Sequence, residues 1–118
     1  MATRDLTAET FTQTVYGNDN VLVYVWAPLC APCAVLTPTY EGSSDKHPDI
    51  VHGEVNFETE QELVSIAGVK LLPTLMALKK GKRVFKQAGV ANSAIMDDLV
   101  RQLQAYRVDS PPRQRGLL

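Results

Sequence analysis

At 118 residues, with 45% hydrophobic side chains and a formal charge of -1, the chain has the make-up of one small globular domain. A chain of this size buries roughly two-thirds of the surface its unfolded form exposes, so its cysteines are not needed as structural staples. Its basic residues are dispersed, which argues against a nucleic-acid or anionic-membrane surface, and its apolar runs are too short to span a bilayer.

The start, Met1 to Thr7, lacks the apolar core of a secretory signal, so a reducing cytoplasm is the expected setting. Thr7 is placed to cap a helix through about Val15, with Phe11 and Val15 on one face. Residues 21–26 are apolar and β-branched, bounded by Asn18-Asp19-Asn20 and Pro28, and predict a buried strand. The run Trp26-Ala27-Pro28-Leu29-Cys30-Ala31-Pro32-Cys33 then holds both cysteines of the chain. Val35, Leu36, Thr39 and Tyr40 recur at helical offsets beyond it, which places Cys30 at a helix N-terminus and Pro32 in the first turn, where its missing N–H is no loss. Pro38 is expected to kink that helix, and Gly42-Ser43-Ser44 to weaken its end.

Residues 50–57 read as a second buried strand, and Thr59-Glu60-Gln61-Glu62 fits a capping box for a helix reaching Ala67 before Gly68. Strand, helix, strand, helix implies parallel pairing. Residues 74–78 and 83–86 flank Lys79-Lys80-Gly81-Lys82 and predict an antiparallel hairpin. Asn92 should cap a last helix whose stripe of Ile95, Met96, Leu99, Val100, Leu103 and Tyr106 is core. One domain over residues 1–107 is expected, followed by a tail at 108–118, with Pro111-Pro112 and Arg113-Gln114-Arg115-Gly116, that has no periodicity and reads as disordered.

The cysteine spacing admits three uses. At a helix N-terminus the free N–H groups and the dipole favour the thiolate at Cys30, the nucleophile of disulfide exchange. Structural zinc normally takes four ligands, and only His47 and His52 remain to supply them, so no metal site is expected. A purely structural disulfide would close too short a loop to restrict the unfolded chain much.

Taken together, Trp26-Ala27-x-x-Cys30-x-Pro32-Cys33, Pro38, Leu72-Pro73-Thr74 and Gly89 resemble the thioredoxin family in register over roughly residues 5 to 106. The resemblance implies an α/β thioredoxin fold, a central mixed sheet flanked by helices. It further implies a protein-disulfide reductase in which Cys30 attacks a partner's disulfide and Cys33 attacks Cys30 to release the reduced partner. No cofactor would be bound, and a flavin-dependent, NADPH-using reductase or a related donor would recycle the disulfide. In the family the proline matching Pro73 is cis and lies against the cysteines, with the residue before it, here Leu72, offering its backbone to substrate. The plainer reading has Pro73 only opening an edge-tolerant strand. The implied substrate rim is Trp26, Leu29, Ala31, Pro32, Phe57, Leu72, Pro73, Gly89 and Val90, suited to transient binding of many disulfide-containing proteins; a monomer is the default.

Departures from the family pattern give the chain its character. Leu29 stands for a second tryptophan and Ala31 for a glycine. Tyr24 replaces a buried aspartate thought to move the proton of the second cysteine, and Glu54 replaces a lysine on the next strand. Tyrosine is a poor base near neutrality, because its unperturbed pKa is about 10 and burial raises it. Strand parity puts Leu22, Tyr24 and Trp26 on one face and His52, Glu54 and Asn56 on one face of the neighbouring strand. The resulting expectation is a relocated acid: Glu54 accepts the Cys33 proton, held by a hydrogen bond from Tyr24. The alternatives are a solvated Glu54 with transfer through water, and, for the whole chain, a thioredoxin-fold binding or redox-sensing module with weak or no reductase activity. An oxidase or isomerase would need an oxidising compartment.

Overall fold

A computed structural model describes residues 3–89 and 92–106. The expected tail and Val90 lie outside the described residues. The elements run β1 (Thr3–Asp5), α1 (Phe11–Gly17), β2 (Asn20–Trp26), α2 (Ala31–Lys46), β3 (Val51–Asn56), α3 (Gln61–Ala67), β4 (Thr74–Lys79), β5 (Lys82–Ala88) and α4 (Ser93–Ala105). The sheet order is β1-β3-β2-β4-β5, with β1, β3 and β2 parallel and β4 and β5 antiparallel. The continuous apolar run of β2 is explained by this placement: it is the central strand, covered on both faces.

Alternation along β2 feeds two cores. Leu22 and Tyr24 join Cys33, Leu36, Tyr40, Met96, Leu99 and Leu103 on the α2 and α4 face. Val21, Val23 and Val25 join Val15, Val55, Val64 and Met76 on the α1 and α3 face. The hairpin turn sets Lys80 and Gly81 at φ 52° and 85°, and glycine carries the second of these without strain. The same hairpin caps helices elsewhere: Lys79 Nζ donates to the Leu103 and Gln104 carbonyls at the end of α4, and Arg83 Nη1 to Ala67 O at the end of α3.

Several local expectations change. Helix α1 starts at Phe11 with Thr10 at its cap, because the Thr7 carbonyl takes the Thr10 and Phe11 N–H groups in a preceding turn. Helix α2 continues past Pro38, where the kink is expected, to Lys46; Pro38 and Ala34, whose carbonyl loses its partner, are both exposed, so water can take that bond. Ser43 and Ser44 lie buried near its end, within a helix that continues to Lys46, with Ser43 Oγ 3.0 Å from His52 Nε2 and Ser44 Oγ donating to Glu41 O. The Thr59 capping box is not formed: Thr59 Oγ1 turns to Glu60, while Asn56 Oδ1 accepts the Glu58 and Thr59 N–H groups. Gly68 ends α3 in the left-handed conformation, and Asn92 Oδ1 caps α4 through Ile95 N, both as expected. Of the apolar stripes, Val35, Ile95 and Tyr106 are exposed at their edges.

Candidate active site

Strand register gathers three loops at one end of the sheet. Trp26, the last residue of β2, pairs with Asn56 at the end of β3; Val25 pairs with Thr74 at the start of β4, and Thr74 with Ala88 at the end of β5. The cysteine segment follows β2, Leu72-Pro73 precedes β4 and Gly89 follows β5, so residues far apart in sequence become neighbours.

Cys30 is the N-cap of α2 and Pro32 lies in its first turn. The two cysteines are joined in a disulfide, and the Cys33 N–H donates to Cys30 Sγ at 3.1 Å. The pair is asymmetric, since Cys30 is half-buried while Cys33 is only 2% exposed. A backbone N–H aimed at the outer sulfur, added to the helix terminus, favours negative charge on Cys30 once the bond is reduced.

The Leu72–Pro73 bond is cis, Pro73 is buried, and its carbonyl accepts the Gly89 N–H at 2.9 Å. Gly89 has φ 75°, a conformation that favours glycine. Leu72, Trp26 and Cys30 pack against the same core cluster as Cys33. Leu29, at 93% exposure, Ala31 and Pro32 are exposed beside the cysteines. Phe57 is half-buried: its backbone N–H bonds Trp26 O, and its side chain packs, as Leu72 also does, against the cluster on the α1 and α3 face. Leu71, next to Leu72 and 67% exposed, was not anticipated, although the apolar doublet before Pro73 signals it.

Beneath the pair, Tyr24 occupies the expected place with unexpected partners. Its hydroxyl donates to the Cys33 carbonyl at 2.7 Å and lies 2.9 Å from Thr37 Oγ1, which itself donates to the Cys33 carbonyl at 2.9 Å. The expected Tyr24–Glu54 hydrogen bond is therefore replaced: Tyr24 stands opposite Glu54 in the strand register, but its long side chain carries the hydroxyl to α2. Burial raises the Tyr24 pKa, so the hydroxyl remains a donor at neutral pH. Glu54 is half-buried, and desolvation raises its pKa against the lowering effect of a hydrogen bond with Thr3. It borders a cavity of about 220 Å³ with Asp5, Trp26, Asn56 and Glu60.

His52 is fully buried with both ring nitrogens engaged, Nδ1 3.0 Å from Ile50 O and Nε2 at Ser43. It packs on Tyr40, whose hydroxyl reaches the Gly53 and Leu22 carbonyls. These contacts make His52 a core residue. Among the described residues no His, Cys, Asp and Glu group is arranged to hold a metal.

The family model for thioredoxin matches residues 2–104. A Streptomyces coelicolor protein carrying the name thioredoxin 2 is 37% identical over 108 residues, which cover 92% of this chain and 81% of that protein. The thioredoxin of Alicyclobacillus acidocaldarius is 34% identical over 89 residues, covering 75% of this chain and 85% of its own length. The solved structure of Plasmodium falciparum thioredoxin superposes with a TM-score of 0.79 at 25% identity, covering 84% of this chain and 97% of that one. Sequence and architecture thus agree along nearly the whole described chain: it belongs to the thioredoxin family, and Cys30 with Cys33 forms the redox pair of a thiol-disulfide oxidoreductase.

Proposed function

We propose that the enzyme works as a cytoplasmic protein-disulfide reductase with Cys30 as nucleophile and Cys33 as resolving thiol. The asymmetry of the pair carries this reading, with Cys30 only partly buried at a helix N-terminus and Cys33 fully buried behind it. The Cys30 thiolate attacks one sulfur of a partner disulfide; a Cys30–partner bond forms, and the other partner sulfur leaves as a thiolate that takes a proton. Cys33, deprotonated, attacks Cys30 Sγ; the Cys30–Cys33 bond forms and the second partner sulfur departs. Two electrons have moved from enzyme to partner. Extended partner chains lie over Leu29, Ala31, Pro32, Leu72 and Pro73, with Trp26 behind them and Gly89 at the far side.

Glu54 takes the proton of Cys33 in this scheme, through intervening water, and the cavity it shares with Trp26 and Asn56 gives the carboxyl access to solvent. Its raised pKa supports the role, since a carboxylate of higher pKa is a better acceptor. An NADPH-dependent, flavin-containing reductase restores the dithiol, and the chain works as a monomer. The test is capture by Cys33→Ser from a cytoplasmic extract: partner proteins should accumulate as mixed disulfides on Cys30 and be released by added dithiol. A Cys33→Ser protein that traps nothing, together with model-disulfide reduction equal in wild type, Cys30→Ser and Cys33→Ser, would leave only a binding module.

A further inference from the structure

Tyr24 lies on the central strand and Thr37 one turn beyond Cys33 on α2, yet their hydroxyls meet at one backbone atom. Both lie within hydrogen-bonding distance of the Cys33 carbonyl, at 2.7 and 2.9 Å, and the two hydroxyl oxygens are themselves 2.9 Å apart. Three oxygens thus form a triangle with two hydroxyl protons for three edges, so one edge is always without a proton. Either both hydroxyls donate to the carbonyl, or one donates to the other and the second to the carbonyl. Every arrangement leaves the Cys33 carbonyl a donor, and rotation about the C–O bonds interconverts them with no heavy atom moving.

The turn that carries Cys33 has reason to need such support. Pro38, the residue after Thr37, offers no N–H to the helix, so the backbone ladder is interrupted just past this turn. Cys33 must also bear negative charge in a nearly dry position, which burial disfavours. The oxygen of its own carbonyl carries partial negative charge a few bonds from the sulfur; hydroxyl protons directed at that oxygen offset it.

We propose that Tyr24 and Thr37 are paired positioning residues for the second half of the reaction, a redundant hydroxyl clamp that keeps Cys33 aimed at the Cys30 sulfur while a partner is attached. They act through the Cys33 backbone and touch neither sulfur nor substrate. The proposal rests on Cys33 being the resolving thiol.

Reduced protein mixed with excess dithiobis-nitrobenzoate separates the steps. Attack by Cys30 breaks the reagent's disulfide and releases one thionitrobenzoate; attack by Cys33 on the resulting mixed disulfide releases a second, in a phase independent of reagent concentration. With one hydroxyl donor left beside the helical Thr37 N–H, Tyr24→Phe and Thr37→Val should each slow the second phase by less than about twofold, whereas the double variant, stripped of both hydroxyls, should slow it about tenfold or more. The first phase should stay within about twofold in every variant, and Thr37→Ser in the Tyr24→Phe background should restore the second. A double variant no slower than the product of the singles, or both phases slowed together, overturns the clamp. Should the double variant not fold, the singles decide: either one abolishing the second phase refutes the redundancy. Loss of the second phase in Cys33→Ser checks the thiol assignment separately.

Discussion

Gly53→Ala tests how tightly β1 is seated on β3. A Cβ at this position would meet the side chain of Leu6, with Leu6 Cγ at 2.9 Å and the Leu22 carbonyl at 3.5 Å. Leu6 has little room to retreat, being 2% exposed and tied by its N–H to Glu54 O at 2.8 Å. Overpacking of this kind costs about 1–3 kcal/mol. Replacing a strand glycine by alanine returns about 0.5–1 kcal/mol of backbone entropy. The net loss should be about 1–2 kcal/mol, and for a chain of this length that is a fall in Tm of about 4–8 °C. Leu6→Ala alone should cost about 2–5 kcal/mol through the cavity it leaves. In the double variant the new methyl points into that cavity, so its loss should be smaller than the sum by about 1–3 kcal/mol. Urea unfolding of the oxidised protein, followed by the fluorescence of its one tryptophan, measures all four species. A Gly53→Ala protein as stable as wild type, or strictly additive losses, would refute the reasoning.

Other consequences follow from the buried titrating groups and the caps. Burial lowers the His52 pKa below its unfolded value, so the unfolded chain binds the proton more readily; stability should be intact above about pH 6.5 and decline as pH falls through that value. Urea midpoints at pH 7.5 and 5.5 check this, and His52→Asn should lessen the decline; an equal decline in both proteins counts against it. Glu54 has the opposite sign, its folded pKa being raised, so its ionisation opposes folding. Glu54→Gln should therefore raise Tm at pH 7 and lose that advantage below about pH 4. The same variant tests the proton acceptor: thionitrobenzoate release in the Cys33 phase should lose its dependence on the carboxyl's titration, and an unchanged pH profile would remove Glu54 from the mechanism. Asn92→Ala, which deletes the cap on Ile95 N, should cost about 1 kcal/mol in thermal unfolding, and no change would mean that water replaces the cap.

What could be read from the chain divides along physical lines. Cys30 at a helix start, Gly68 at a helix end, Asn92 as a cap and the Lys80-Gly81 turn are local events, governed by a few adjacent residues, and all are found where the pattern put them. Strand parity likewise grouped Leu22, Tyr24 and Trp26 on one face and His52, Glu54 and Asn56 on another, and the register sets Tyr24 opposite Glu54. Parity fixes a face, however, and not how far a long side chain leans along it, which is why Tyr24 reaches Cys33 and Thr37 instead. Thr37 itself carried no signal beyond lying one turn after Cys33. Strand β1 escaped notice because Thr3-Arg4-Asp5 is a short polar edge held by pairing with β3 rather than by its own burial. Val35 and Ile95 keep helical period with buried residues yet face outward, because period alone does not set the width of the covered stripe.

The sheet order divides the site between two parts of the chain. The cysteine pair comes with β2 and α2, whereas Leu72, Pro73 and Gly89 come with the β4–β5 hairpin, which joins the central strand antiparallel on the side away from β3. If the proposed rim seats partner proteins, a chain whose hairpin is unseated should still react with small thiol reagents and yet fail to reduce protein disulfides. Productive exchange with proteins would then be a property of the finished sheet, and the β2–β4 pairing would separate possessing a nucleophile from being able to aim it.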